Sequence, residues 1–438
     1  MTRKRILASC LALALVACKT APSAPPQTGP SAAAGGGSSA TTVPAAGGGG
    51  GAAASTSPAG APRKIRTVEG ITEYALDNGM QVLLFPDNSK DTVTVNVTYL
   101  VGSRHEGSGE TGMAHLLEHM MFKGSKNAAD LKEQLGKRGA GYNASTWFDR
   151  TNYFETLPAG EDNLSWALHM EADRMVNANI KQEDLSSEFS VVRNEMEAGE
   201  NNPGGILEER MLSTAYLWHN YGKSTIGARS DVEHVPATTL RRFYEKYYQP
   251  DNASLVVAGK FDEARTLTLI NQTFGAVPRP ARKLEPTYTI EPAQDGEREV
   301  ILRRVGDVSL VGLAYHVVAD SDPDSAAVSA IGDILTAEPS GRLYKALVQT
   351  GLATRIYTGG FPSHDPGMFI VYAEVTPGKS IDQVKDKMIE IVEGLGKAKP
   401  TDEEVARFHA KAKKNAKLVF SNTEQLAVGL SEFTAMGD

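Results

Sequence analysis

Met113-Ala-His-Leu-Leu-Glu-His-Met-Met121 is the stretch from which the rest of the chain can be read. Its apolar residues leave no polar face beyond His115, Glu118 and His119, so a buried helix over about 113–122 is expected. Laid beside Ala327-Val-Ser-Ala-Ile-Gly-Asp-Ile-Leu335, its apolar positions coincide, while those three residues fall on Ser329, Gly332 and Asp333. The chain therefore reads as an internal duplication in which only the first copy carries chemistry.

Working outward, the first copy is expected to hold a hairpin turning at Asp77-Asn78-Gly79, a strong two-strand turn signal. Val93, Val95, Val97 and Tyr99 alternate with Thr94, Asn96 and Thr98, the pattern of a half-buried strand. A glycine-rich loop, 102–112, leads into the motif helix. Then come a helix near 128–137, a hairpin over 142–146 and 151–157, long helices near 162–178 and 183–198, and a short apolar strand at 254–258. After a helical and linker stretch, 262–292, the pattern restarts with strands at 300–304 and 310–317 and a helix at 324–336. The second copy is about fifty residues shorter than the first and holds no counterpart of 254–258, so it is expected to be incomplete at its C-terminal side.

Residues 1–18 read as an address. Arg3, Lys4 and Arg5 precede a twelve-residue apolar run, Ile6 to Ala17, too short to span a bilayer core and fitting a signal peptide. The closing Leu15-Val16-Ala17-Cys18 resembles the lipobox of bacterial lipoproteins, which implies lipid attachment at Cys18, with Lys19 matching the outer-membrane sorting choice. Residues 19–63 are rich in Ala, Gly, Pro and Ser and are expected to form a disordered tether. The formal charge of −8 argues against a nucleic-acid partner. Cys10 and Cys18 are the only cysteines, so neither a disulfide nor a thiolate metal site is expected in the mature chain.

His115 and His119 lie one turn apart on one helix face and can share a metal ion, with Glu118 beside them. Two histidines and a carboxylate among apolar side chains are costly to bury unless something pairs with them, and a dication does so. A catalytic site of this kind wants a third protein ligand. The helix with the apolar stripe Leu185, Phe189, Val192 and Met196 offers Glu188 and Glu195 at the edge of that stripe, and periodicity alone leaves both open.

The motif order His-x-x-Glu-His is that of the inverzincins. Together with Gly102-Ser-Arg-His-Glu106, Asn143-Ala144, Arg150-Thr-Asn-Tyr153, Glu188 to Glu195, Tyr221 to Gly227 and Tyr248 to Ala253, it resembles the pitrilysin/insulinase family, which includes mitochondrial processing peptidase. The resemblance implies an α+β fold of two homologous domains, 64–285 and 286–438, each a mainly antiparallel sheet with helices packed on one face. It implies one zinc ion held by His115, His119 and Glu195, with Glu188 as a supporting carboxylate. Glu118 would be the general base for hydrolysis of peptides or unfolded segments, and Asn143 and Ala144 would lie on a substrate-binding edge strand. The family's arginine and tyrosine that grip substrate from the opposite half would fall at Leu347 and Thr354, where neither type is present. This implies a partner half closing the chamber. The rival expectations are a zinc-binding but inactive half and a non-enzymatic envelope scaffold. The leader implies a bacterial cell-envelope location, lipid-anchored in the outer membrane and facing the periplasm.

Overall fold

The computed structural model describes residues 60–437. The expected signal peptide, Cys18 and residues 19–59 of the tether lie outside the described residues. Among the described residues no helix is long and apolar enough to cross a membrane.

The hairpin forms where the turn residues place it, joining β2 (Ile71–Ala75) to β3 (Gln81–Pro86). Asn78 donates from its side chain to the carbonyls of Phe274 and Val277, at 2.7 and 2.9 Å, tying the turn to the body of the domain. With β1 (Arg63–Val68), β4 (Thr92–Tyr99), β5 (Gly141–Thr146), β6 (Thr151–Pro158) and β7 (Ala253–Gly259), these strands make a seven-stranded sheet in the order β1-β2-β3-β7-β4-β6-β5. Every neighbouring pair is antiparallel except β3 with β7. The last strand of the unit thus inserts at its centre, and all seven of its residues are buried.

The period-two alternation of the strands sorts side chains to two faces. Val93, Val95, Val97, Leu255 and Val257 meet Met113, Leu116, Leu117 and Met120 of helix α1 (Met113–Met120) in the main core. The same core takes in α3 (Glu161–Asn177) and α4 (Gln182–Gly199), which follow the short helix α2 (Leu131–Lys137). Helices α5 (Pro203–Ala215), α6 (Arg229–His234), α7 (Ala237–Tyr247) and α8 (Glu263–Thr273) complete the first unit.

The second unit repeats this order in shortened form. Strand β8 (Ser309–His316) leads to α9 (Ser325–Thr336), a wide helical turn at Tyr344–Val348, then β9 (Ala353–Gly359) and β10 (Met368–Val375). Helices α10 (Ile381–Glu393), α11 (Asp402–Phe420) and α12 (Thr423–Met436) follow. Its sheet order, β8-β10-β9, matches β4-β6-β5 strand for strand.

Two expectations fail here, each for a physical reason. Residues 300–304 are not a strand. Their counterpart in the first unit is β3, which is held by β7; among the described residues no strand takes that place beside β8, and Ile301 is left 60% exposed. Nor is β4 half-buried: Thr94, Asn96 and Thr98 are fully covered. The cover is α12, which leaves its own unit and lies across the second face of the first sheet. Its Leu426, Ala427 and Leu430 pack there with Leu83, Val256 and Ala258. The polar alternates of β4 find partners on it: Thr94 bonds the Thr423 hydroxyl at 3.0 Å, and Asn96 donates to the Ala427 carbonyl at 3.2 Å. Arg150, just beyond β5, pairs with Glu432 of α12, its Nε 2.8 Å from the carboxylate.

Candidate metal centre

Helix α1 begins where the glycine-rich loop ends, and its first turn is held by a buried carboxylate. Glu106 accepts from the backbone N–H groups of Gly112 and Ala114, each at 2.8 Å. These are among the donors a helix start leaves unpaired, and burial raises the Glu106 carboxyl to about 8 against the pull of those two bonds. Gly112 has φ +88°, and a Cβ on it would lie 2.5 Å from the carbonyl of Ile226, so the close approach requires glycine.

So positioned, α1 packs its histidine face against α4. His115 Nε2 lies 3.6 Å and His119 Nε2 3.5 Å from the same oxygen of Glu195. One donor atom from each of the three residues falls within 4.8 Å of the others. Two ligand atoms about 2.1 Å from a common centre at a tetrahedral angle stand about 3.4 Å apart, so the donor set and its spacing fit a zinc ion. Glu195 is the more exposed member, with 45% of its side chain accessible, which is why the apolar stripe of α4 did not single it out.

Glu188, two turns earlier on α4, reaches His119 from behind. Its Oε2 stands 3.1 Å from His119 Nδ1, leaving Nε2 directed at Glu195. The other Glu188 oxygen pairs with the Lys123 ammonium. These contacts divide the two imidazoles electrically. Burial and the neighbouring His119 charge push His115 down to about 4. His119 is also buried, which works against its charge, yet the hydrogen bonds to Glu188 and Glu195 raise it to about 9. The bond from His119, with help from Lys123 and against burial, holds Glu188 at about 2.

Glu118, one turn from His115 on α1, reaches the end of β5. Burial raises its carboxyl above the usual range, while the Thr146 hydroxyl opposes this by donating to it at 2.5 Å. β5 is the open edge of the sheet. Trp147 N–H donates to the Arg150 carbonyl at 2.9 Å, and with Ala144 opposite Tyr153, alternation turns the peptide groups of Tyr142, Ala144 and Thr146 outward along that edge. Ala144 keeps its methyl group buried and Asn143 its side chain exposed. Helix α1 therefore carries His115, His119 and Glu118 between Glu195 of α4 and β5, the strand that bears Asn143 and Ala144.

Leu347 lies in the second unit's core and Thr354 is exposed at the start of β9, so neither presents a grip on substrate. Sequence reasoning missed Thr146 and Lys123. Lys123 stands four residues after His119, a helical spacing that could have drawn notice. Thr146 is reached only by folding β5 against α1.

The geometry agrees with what the chain is similar to. Residues 81–229 match the family model described as insulinase (peptidase family M16), and residues 234–411 match that of the peptidase M16 inactive domain. A zinc protease, PqqE, of Helicobacter pylori is 32% identical over 337 residues, 75% of this chain and 76% of that protein. A crystal structure of a protease from Helicobacter pylori superposes with a TM-score of 0.78 at 30% identity, covering 84% of this chain and 89% of the other. The periplasmic protease PqqL of Escherichia coli shares the fold at 20% identity, with a TM-score of 0.68; the match covers 85% of this chain and 43% of PqqL.

Proposed function

The chain belongs to the insulinase family of peptidases, M16, and from that premise we propose that it is a zinc-dependent endopeptidase acting on peptides or unfolded polypeptide segments. The observation that carries this reading is the convergence of His115, His119 and Glu195 at tetrahedral-ligand spacing, with Glu118 alongside. His115, His119 and Glu195 would hold the ion, which when bound supplies Lewis acidity toward water and a peptide carbonyl. Glu118 takes the proton of the attacking water and passes it to the departing amine. Thr146 fixes the direction of the Glu118 carboxylate through its hydroxyl. An extended substrate adds along the open edge of β5, bonded to the peptide group of Ala144, with Asn143 contacting it from the side.

A second reading is supported by Leu347 and Thr354, and by the similarity of the second unit to an inactive-domain model. On it, this chain supplies the chemistry, and a partner half supplies the opposing grip and closes the chamber. The leader supports the further proposal that the protein is tethered by lipid at Cys18 to a bacterial envelope membrane, facing the periplasm.

One paired measurement tests these readings: zinc stoichiometry by elemental analysis, and cleavage of a quenched unstructured peptide, for the wild type and Glu118→Gln. One zinc in both, with cleavage lowered about a hundredfold or more in the variant, is the expected result. One zinc with no cleavage by either points to the missing partner half. Absence of zinc overturns the catalytic reading and leaves a scaffold.

A further inference from the structure

Six chargeable groups meet around the α1–α4 crossing, and two of them, Glu188 and Lys123, have no part in the ligand set or the proton transfer. Lys123 lies on the 3₁₀ turn Met121–Lys123 that continues α1, four residues beyond His119, so it emerges on the same face as that histidine. The turn is closed behind it by Gly124 at φ +88°, where a Cβ would stand 2.6 Å from the Ala128 carbonyl, so the backbone that carries Lys123 is fixed. Its ammonium pairs with Glu188 Oε1, while Glu188 Oε2 faces His119 Nδ1 at 3.1 Å. Glu188 is thus held at both oxygens, and only 12% of its side chain is accessible.

His115 shows what the alternative looks like. Its Nδ1 is buried without a hydrogen-bond partner, so the orientation of the histidine pair rests on the His119 side. Charge gives the same answer. Glu118, Glu188 and Glu195 bring three negative charges to a site where a dication and two neutral imidazoles bring two positive ones. Lys123 is the cation in contact with this set that makes it neutral, since Arg150 is taken up by Glu432.

We propose that Lys123 is a positioning residue for the metal centre: by clamping Glu188, it orients His119 so that Nε2 faces the ion and Nδ1 donates to the carboxylate. This rests on the zinc-site reading above. It makes a prediction opposite to that of simple charge repulsion. Deleting a cation near a cation site should tighten zinc binding if Lys123 acts only through its field, and weaken it if Lys123 acts through Glu188.

The test is the zinc dissociation constant, read by competition with a chromophoric chelator on the full chain at one pH and ionic strength. The set is wild type, Lys123→Met, Lys123→Arg, Glu188→Gln and the Lys123→Met/Glu188→Gln double variant, each checked for folding by circular dichroism. Partners that orient a ligand from behind are typically worth about 10- to 100-fold in metal affinity. Lys123→Met is expected to weaken binding about tenfold and Lys123→Arg to restore most of it. The double variant is expected to bind no more weakly than Glu188→Gln alone. Unchanged or tighter binding by Lys123→Met overturns the proposal, as do losses that multiply in the double variant. Failure of the wild type to bind zinc overturns the zinc site and this proposal together, and is distinct from either of those results.

Discussion

The two units cross the same pair of helices and put different things in the crossing. In the first, α1 meets α4, and His119 faces Glu188 and Glu195. In the second, α9 meets α11, and Asp333, which stands where His119 stands, pairs with Lys411. Gly332 takes the place of Glu118. One helix pair is thus joined by groups that want a third, cationic member, and the other by an ion pair complete in itself. On the reading proposed above, what suits the first crossing to a metal ion is that its link is left deficient in positive charge.

The sharpest way to break this comparison is to exchange the links. His119→Ala should abolish zinc binding, whereas Asp333→Asn at the matched position should leave both zinc content and peptide cleavage unchanged. Elemental analysis and the quenched-peptide assay read the two effects. A change in zinc content on altering Asp333 would mean that the second crossing is not inert.

The next effect probes how the units are joined. Arg150→Met strands the Glu432 carboxylate against the sheet, and breaking a largely buried pair in this way is expected to lower stability by about 3 kcal/mol. The shift of the urea midpoint at constant m-value measures it. Leu426→Ala, on the α12 face that covers the first sheet, should cost about 2–4 kcal/mol by opening a cavity. If both losses appear in the unfolding of the first unit, α12 is part of that unit's core in energy as well as in position.

Smallest of all is Ile301→Ser. Residue 301 would be a buried strand residue by analogy with β3, but it is exposed, and its replacement is expected to change stability by less than about 0.5 kcal/mol. A loss above about 1 kcal/mol in the same urea titration would show that residues 300–304 pair after all.

The sequence was informative where one local rule decided the outcome. The Asp-Asn-Gly turn, the helix of His115 and His119, the strands β2 to β7 and the repeat at 327–335 all follow from turn chemistry, period or direct alignment, whereas β1 and the order of the sheet do not. It was uninformative where a distant segment decided. Thr94, Asn96 and Thr98 carry the pattern of a wet strand face, and only α12, more than three hundred residues later, makes that face dry. Strands β9 and β10 were not anticipated, since β10 is placed by pairing with β8 and β9 by pairing with β10. At the site, His115, Glu118 and His119 were legible from one helix. Glu195 needed the family resemblance to be preferred to Glu188, since both edge the same stripe. Thr146 and Lys123 depended on how β5 and α4 close on α1.

The reach of α12 across the seam has a consequence for heredity. Two units of like strand order would be expected to drift apart or be shuffled between relatives independently, with the junction near residue 285 as the splice point. A recombinant joined there would set Thr94, Asn96 and Arg150 of one parent against residues 423–432 of another. The crossing of the second unit is closed within that unit by Asp333 and Lys411. Its helix α12 is not closed within it in the same way, because Leu426, Ala427, Leu430 and Glu432 complete the first unit.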